Sequence, residues 1–377
     1  MKLIKVVLFN VLLLVIFIEG ASFVYFRLGL SISSYRPSYI SQTTDSEQEW
    51  MTEFNPWGAW HKVNGRGYKE LRCFGVELIA NAYGARDKER DLKSDKKRIV
   101  VLGDSFVEGF GVDASKRFTD ILEERTNYAF LNFGTSGDFG PLQYSILYQE
   151  LASGFDHEQV WVAILPDNDF TDNDPAYWKR VNEGGFKKRY RPYWQKRDEG
   201  GFSHFYTVDQ PKHALTFADY RGVGQNRGVS FKDKLQRLTW TYGVYRELRY
   251  YTRGSNLTAG TYSGYFDFNE EQLEATLFYV KEIQKIAEGK PVTIFTIPRL
   301  SDLKRLQSET SPMVQRMAVF AKKNNILYVD LSESMLNLSQ KKTDLFLPCD
   351  GHWSEVGHNI AAETLYQKVL QKCGPVP

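Results

Sequence analysis

The chain has 377 residues, a formal net charge of +2, and is 42% hydrophobic, 25% charged and 15% aromatic. That is a globular composition with material for one large α/β domain plus insertions, or for two domains, and it has no low-complexity tract. The near-neutral charge excludes a global field that gathers nucleic acid. Cys73, Cys349 and Cys373 are too few for a disulfide framework or a zinc site, although one pair can bridge if the domain is exported.

Met1–Lys5 is short and carries Lys2 and Lys5. Val6–Phe26 is almost entirely apolar, interrupted by Asn10 and Glu19. The segment just reaches the length of a signal anchor if Glu19 lies near the far interface. The shorter run Val6–Ile18, followed by Gly20-Ala21-Ser22, also fits a cleaved signal peptide. The anchor is the preferred reading. Either way the lysines precede the apolar run, which places the remainder outside the cytoplasm. Residues 1–30 are thus the anchor and 31–97 an extracytoplasmic tether and lead-in. Ser31–Asn64 is polar and aromatic with no sustained period, Asn81–Asp87 (NAYGARD) is a turn-rich connection, and Asp87–Lys97 is a charge run that reads as solvated surface.

Regular structure begins at Arg98. Ile99–Leu102 is a short apolar run rich in β-branched residues, the pattern of a strand buried on both faces of a parallel sheet. It stops at Gly103-Asp104-Ser105. Phe118–Arg125 reads as a helix with Phe118, Ile121 and Leu122 on one face, Tyr128–Phe133 as a strand, Leu142–Leu151 as a helix and Val160–Leu165 as a third strand. The alternation implies βαβ units and a parallel sheet. It breaks between residues 172 and 268, an insertion rich in Tyr, Trp, Arg, Lys and Gly. There, Leu235, Leu238, Tyr242, Tyr245 and Leu248 fall at helical spacing and predict an amphipathic helix packed on the core. Lys187–Arg197 (KKRYRPYWQKR) reads as a solvated loop, with a lip over an anionic or sugar substrate as second reading. Alternation resumes with a helix at Gln272–Ala287, a strand at Pro291–Ile297, a helix at Pro312–Lys323, a fifth strand at Ile326–Leu331 and a closing helix at Glu355–Leu370.

Four polar clusters follow from this layout. Ser105, Gly137 and Asn168 each come just after the carboxyl end of a strand, and Asp350 with His352 follows the last strand. In a doubly wound sheet those ends converge on one crevice. Each has an ordinary alternative: Gly-Asp-Ser, Gly137 and Asn168 as turn residues, Asp350 as a helix cap. Together, however, the residue types suit one reaction. A serine hydroxyl needs an adjacent base, His352 can take and return its proton, and Asp350 can orient the imidazole. The Ser105 and Gly137 backbone N–H groups and the Asn168 amide supply donors for an oxyanion. His358, further along the closing helix, reads as packing or surface. Gly351-His352-Trp353 has too few companions to hold a metal, and no cofactor is implied.

At this point the chain resembles the SGNH (GDSL-type) hydrolases, in Gly103-Asp104-Ser105 with Gly109, Asn132 to Gly137, Asn168-Asp169 and the Asp350/His352 pair. The resemblance covers residues 98–377 apart from the insertion. It implies a three-layer α/β/α, flavodoxin-like sheet of about five strands, with Ser105 as nucleophile, His352 as base, Asp350 as its orienter, and Gly137 and Asn168 in the oxyanion hole. The N-terminal segment, NAYGARD and DGHW look like membrane-associated members that esterify or de-esterify cell-surface polysaccharide. Two departures stand out. The last block is Asp-x-His, one residue shorter than the common form, which leans toward sugar acylation, and Pro166 replaces the usual Gly before Asn168. The expected activity is therefore an anchored, extracytoplasmic serine esterase acting on a small acyl ester of a carbohydrate or lipid-like substrate. An O-acyltransferase with the same residues is the nearest alternative, and a non-catalytic carbohydrate-binding or envelope-assembly protein the more distant one.

Overall fold

The computed structural model describes residues 2–28, 30, 50–71, 73–182, 185–186, 189–212, 215–216, 238–252, 262–338 and 342–371. The chain opens with helix α1 (Lys2–Arg27), whose apolar side chains from Leu3 to Ile18 are exposed. The lead-in then departs from the expected irregular approach. It forms two hairpins, β1 (Met51–Asn55) with β2 (Gly58–His61), and β3 (Arg66–Glu70) with β4 (Gly75–Ile79). β4 alternates buried Val76 and Leu78 with exposed neighbours, as a half-buried strand does. The charge run after it is exposed from Asp91 to Lys97, as expected, and only Asp87 and Arg90 at its start are drawn inward. The Asp87 carboxylate is buried and accepts from Arg90 Nε at 3.0 Å and from the Asn132 N–H at 3.2 Å.

The central sheet starts at β5 (Arg98–Gly103), followed by the short helix α2 (Ser105–Glu108), α3 (Phe118–Arg125), β6 (Ala129–Gly134), α4 (Pro141–Glu150) and β7 (Gln159–Ile164). α5 (Pro166–Asp172) follows β7, and the insertion then comprises α6 (Pro175–Val181), the hairpin β8 (Pro192–Lys196) with β9 (Phe202–Tyr206), β10 (Leu215–Thr216), which pairs with β1, and α7 (Trp240–Thr252). The chain continues through α8 (Glu270–Ile286), β11 (Val292–Thr296), α9 (Leu300–Leu306), α10 (Pro312–Lys323), β12 (Leu327–Asp330), α11 (Ser332–Leu338) and α12 (Glu355–Leu365).

The five-stranded sheet has the order β12-β11-β7-β5-β6 and every pairing is parallel. Counted within the sheet this is the flavodoxin-like order 2-1-3-4-5, with its switch point between β5 and β7. Successive side chains face opposite layers. Val100 and Leu102 of β5 join the core beneath α4, α8 and α10, while Ile99 and Val101 join the core beneath α3 and α12. The helices start where local chemistry stops the loops. Asn269 and Gln272 form a reciprocal capping box at α8, and Ser311 caps α10 ahead of Pro312 at its first position.

Two segments of the insertion differ from expectation. Lys187–Arg197 is not a solvated loop in its described residues: Arg191, Tyr193 and Trp194 are buried, and Arg189 pairs with Glu53 and Asp138. Tyr193 and Trp194 face opposite sides of the hairpin and both sides are packed, Tyr193 on Phe186 and Trp194 on Phe202 and Leu142. The predicted core-facing stripe also fails. Leu235 lies outside the described residues, and α7 exposes Tyr245 and Leu248 while its first turn packs on α1.

His358 lies fully buried in α12 against Trp353 and Phe118, its Nδ1 accepting from the Phe118 N–H at 3.3 Å. Burial first, then the charges of Arg117, Arg86 and His352, push its pKa down to about 3. The folded state therefore holds His358 neutral where the unfolded chain, near pH 6.5, would take up a proton. Its contribution is complete above about pH 6.5 and is lost as pH falls toward about 3. Urea titrations from pH 7 to pH 4 are expected to show a wild-type decline steeper than that of His358→Phe, the difference approaching about 1.4 kcal/mol per pH unit below about pH 6. Parallel declines would refute the assignment.

Candidate active site

Ser105 begins α2, immediately after β5, and the sequence makes this turn tight. Asp104 caps the helix by accepting the Phe106 N–H at 2.9 Å through Oδ1. A Cβ on Gly134, at the end of β6, would lie 2.2 Å from the Glu108 backbone nitrogen, so only glycine lets that strand approach α2. Ser105 Oγ stands 2.7 Å from His352 Nε2, and His352 Nδ1 is hydrogen-bonded to Asp350 Oδ1. Ser105, His352 and Asp350, far apart in sequence, are thus one hydrogen-bonded series. The imidazole packs on the rings of Phe106 and Phe110, with centroids 4.8 and 4.5 Å away. Burial would raise the Asp350 pKa, but its hydrogen bond to and attraction by His352 outweigh that and hold the carboxyl below its usual range.

Asp350 and His352 sit on a turn that precedes α12. Leu347 N donates to His352 O at 2.7 Å, Gly351 N donates to Leu347 O at 3.0 Å, and Gly351 has φ +96°. Cys349, beside Asp350, is disulfide-bonded to Cys73 in the β3–β4 connection. The pairing that the three thiols left open is therefore Cys73 with Cys349, and the lead-in reaches the site through it.

Gly137 lies on the loop after β6 with φ +107°, and its carbonyl accepts from Arg189 Nη2 at 3.3 Å. Asn168 is in the first turn of α5, which Pro166 opens. Proline at that position lacks only an N–H that would have no helical partner, so the departure from glycine is accommodated. Asn168 Nδ2 donates to Asp104 Oδ2 at 3.3 Å, and Asn168 Oδ1 is buried without a hydrogen-bond partner among the described residues. Asn168 thus flanks the switch point opposite Ser105. Burial raises the Asp104 pKa against its hydrogen bond from Phe106 and the attraction of His352.

Sequence reasoning missed the layer beneath the Gly137 loop. Glu108 Oε2 accepts from Ser136 N at 2.6 Å and from Ser136 Oγ, while Oε1 lies 3.4 Å from His61 Nε2. Burial works against the Glu108 charge, but His61, Arg86 and Ser136 overcome it and pull the pKa down to about 2. Arg86, in NAYGARD, reaches under α2 and donates to the carbonyls of Glu108, Gly109 and Val112 at 3.0, 2.7 and 2.9 Å. The available signals were an acid inside the block GDSFVEG and an arginine among small turn residues. The Gly137 loop thus hangs on an ionised, buried carboxylate. Glu108→Gln keeps the shape but loses charge-assisted bonds worth about 1.5–3 kcal/mol. For the ester hydrolysis proposed below, kcat is expected to fall about 10- to 100-fold with KM little changed, a split read from steady-state kinetics. A variant that melts earlier yet keeps wild-type kcat would limit Glu108 to stability.

No family model matches the chain, and no curated protein matches it. Among solved structures it is similar to a lipolytic protein of the G-D-S-L family from Veillonella parvula, at 11% identity and TM-score 0.38 over 73% of this chain and 99% of that one. A lipase/acylhydrolase from Enterococcus faecalis matches at 11% identity and TM-score 0.36 over 74% and 99% of the two chains. A salicylyl-acyltransferase from a tetracycline biosynthetic pathway matches at 12% identity and TM-score 0.34 over 76% and 57%.

Proposed function

We propose that the chain is an anchored, extracytoplasmic serine esterase of the SGNH kind that removes a small acyl group, acetyl by our reading, from a carbohydrate or lipid-like ester. Residues 98–377 form its hydrolase-type domain and 172–268 the insertion within it. The observation that carries the reading is the Ser105 Oγ to His352 Nε2 contact at 2.7 Å, backed by Asp350. Ser105 Oγ attacks the ester carbonyl as its proton passes to His352 Nε2, and Asp350 stabilises the imidazolium through Nδ1–H. The carbonyl oxygen becomes an oxyanion, met by the backbone N–H groups of Ser105 and Gly137 and by the second amide hydrogen of Asn168. Collapse expels the alcohol, which takes the proton from His352 and leaves an acyl-Ser105 ester. Water then gives its proton to His352 and attacks that ester, and collapse releases the carboxylic acid as Ser105 Oγ takes the proton back from His352.

Two features support the location. Lys2 and Lys5 precede the exposed apolar face of α1, which is 26 residues long, enough to cross a bilayer. The Cys73–Cys349 bond is of the kind that persists in an oxidising compartment. A fluorophosphonate probe on the full-length protein in detergent, with p-nitrophenyl acetate turnover in parallel, tests the function. Labelling and turnover that both disappear in Ser105→Ala support it. Labelling at another residue, or none with no turnover, overturns it. Adding a polysaccharide acceptor decides between water and sugar as acyl acceptor, and acyl transfer that outruns hydrolysis would replace the esterase with the transferase.

A further inference from the structure

The tie between α1 and α7 is a specific one. Glu19, the acid inside the apolar segment, accepts the Trp240 N–H at 2.6 Å through Oε1, and the Thr241 N–H at 3.0 Å and Thr241 Oγ1 at 2.6 Å through Oε2. A side chain of one helix thus caps the N-terminus of another, where carboxylates are favoured. Ser22, buried, lies 3.4 Å from Thr241 Oγ1, and the Trp240 ring packs on Phe23 and Phe26 with centroids 5.5 Å away in both cases. The apolar run Val6–Ile18 is roughly 20 Å long at the helical rise, so Glu19 falls in the outer third of a hydrocarbon core about 30 Å thick and Phe23 to Phe26 near its edge. Trp240, Phe23, Tyr25 and Phe26 then stand at the level where aromatic residues collect in membrane proteins. From this fixed point, α7 turns an apolar face outward. Leu238, just ahead of the helix, is 43% exposed, and Tyr245 and Leu248, one turn apart, are 49% and 57% exposed.

Resting on the anchor reading above, we propose that α7 is an interfacial helix, lying on the lipid surface beside the exit of α1 with Leu238, Tyr245 and Leu248 seated in the headgroup–acyl boundary. The lipid commitment comes from continuity. The face adjoins, through the Glu19 cap, a helix whose own apolar side chains are exposed from Leu3 to Ile18 and require a bilayer to cover them. The insertion therefore gives the catalytic domain a second foothold, formed by its own chain rather than by the anchor alone.

The test places nitroxide labels on full-length protein reconstituted in phosphatidylcholine vesicles, with Cys373 changed to Ser. Leu248→Cys and Tyr245→Cys report on the proposed face, Leu13→Cys on α1, and Lys323→Cys on an exposed polar position of α10. Collision with oxygen and with a water-soluble nickel chelate gives depth. Labels at 245 and 248 are expected about 5–10 Å below the headgroup surface, the label at 13 in the acyl core, and the label at 323 in water. Labels at 245 and 248 in water, with 13 in the acyl core, overturn the interfacial helix and leave the anchor standing. A label at 13 absent or in water overturns both. Shielding of 248 from both reagents with spin–spin broadening assigns the face to a second copy of the chain and likewise overturns the proposal.

Discussion

Ser105→Ala and His352→Ala are each expected to lower kcat for p-nitrophenyl acetate by roughly 10⁴- to 10⁶-fold, and the double variant by no more than either alone. The reasoning is geometric. Ser105 Oγ has an imidazole nitrogen at 2.7 Å, and without it the hydroxyl is a poor nucleophile at neutral pH, while without the hydroxyl the base has nothing to activate. Removing either removes the same step. Asp350→Asn leaves the turn in place but offers an amide to His352 Nδ1, which favours the wrong tautomer. A loss of about 10⁴-fold is expected from that cause. The structure should tolerate Ser105→Ala, because Phe106 N is capped by Asp104 and not by the serine. Circular dichroism melts within a few degrees of wild type would confirm this. Losses that multiply in the double variant would show that the two side chains act in separate steps, and the relay would be wrong.

The sheet was legible because β5, β6, β7 and β11 are buried on both faces and read as unbroken apolar runs. The helices Phe118–Arg125 and Pro312–Lys323 were legible to the residue, the latter because Ser311 and Pro312 mark its start. Ser105 and Asn168 were legible as candidates because each follows a strand end beside the switch point, where the Asn168 amide meets Asp104. Asp350 and His352 come only after α11, and their hydrogen bonds to each other and to Ser105 depend on the turn before α12 rather than on a strand end. Gly137 follows β6, and its part in the site belongs to the proposed function. What surrounds them was not. Glu108 meets Ser136 28 positions away, and His61 comes from a hairpin in a stretch whose aromatic and polar residues show no sustained period. That hairpin is short and twofold alternation hardly develops in it, so its pairing is decided by packing against Trp50 and Trp57 and not by local pattern. The stripe of α7 showed helical periodicity correctly, but periodicity does not say what covers the apolar face. Here Glu19 ties the first turn of α7 to α1, through contacts spanning more than two hundred residues, and Tyr245 and Leu248 are left exposed.

Breaking the Cys73–Cys349 bond is expected to affect both stability and catalysis. The bond closes a span of 276 residues. Chain entropy alone places its stabilisation near a ceiling of about 5–6 kcal/mol, and realised values run about 2–5 kcal/mol. Cys73→Ser with Cys349→Ser should lower unfolding free energy by that amount in urea. The catalytic effect arises from position. Cys349 directly precedes Asp350, and the Leu347–His352 turn otherwise depends on a few backbone hydrogen bonds and on Gly351 at positive φ. Leu347 also packs with Phe74 and Leu78 of the lead-in, so the bond joins two surfaces already in contact. Freed of the bond, the turn samples positions in which Asp350 no longer fixes the His352 ring, and displacements of about 1 Å can cost about 10²-fold in rate. The expected reading is kcat down about 10- to 100-fold with KM nearly unchanged. Dithiothreitol should reproduce the loss in wild type and leave the double variant unaffected. If reductant lowers the melting temperature while kcat at 25 °C holds, the bond secures the lead-in to the domain and the turn keeps Asp350 in place by itself.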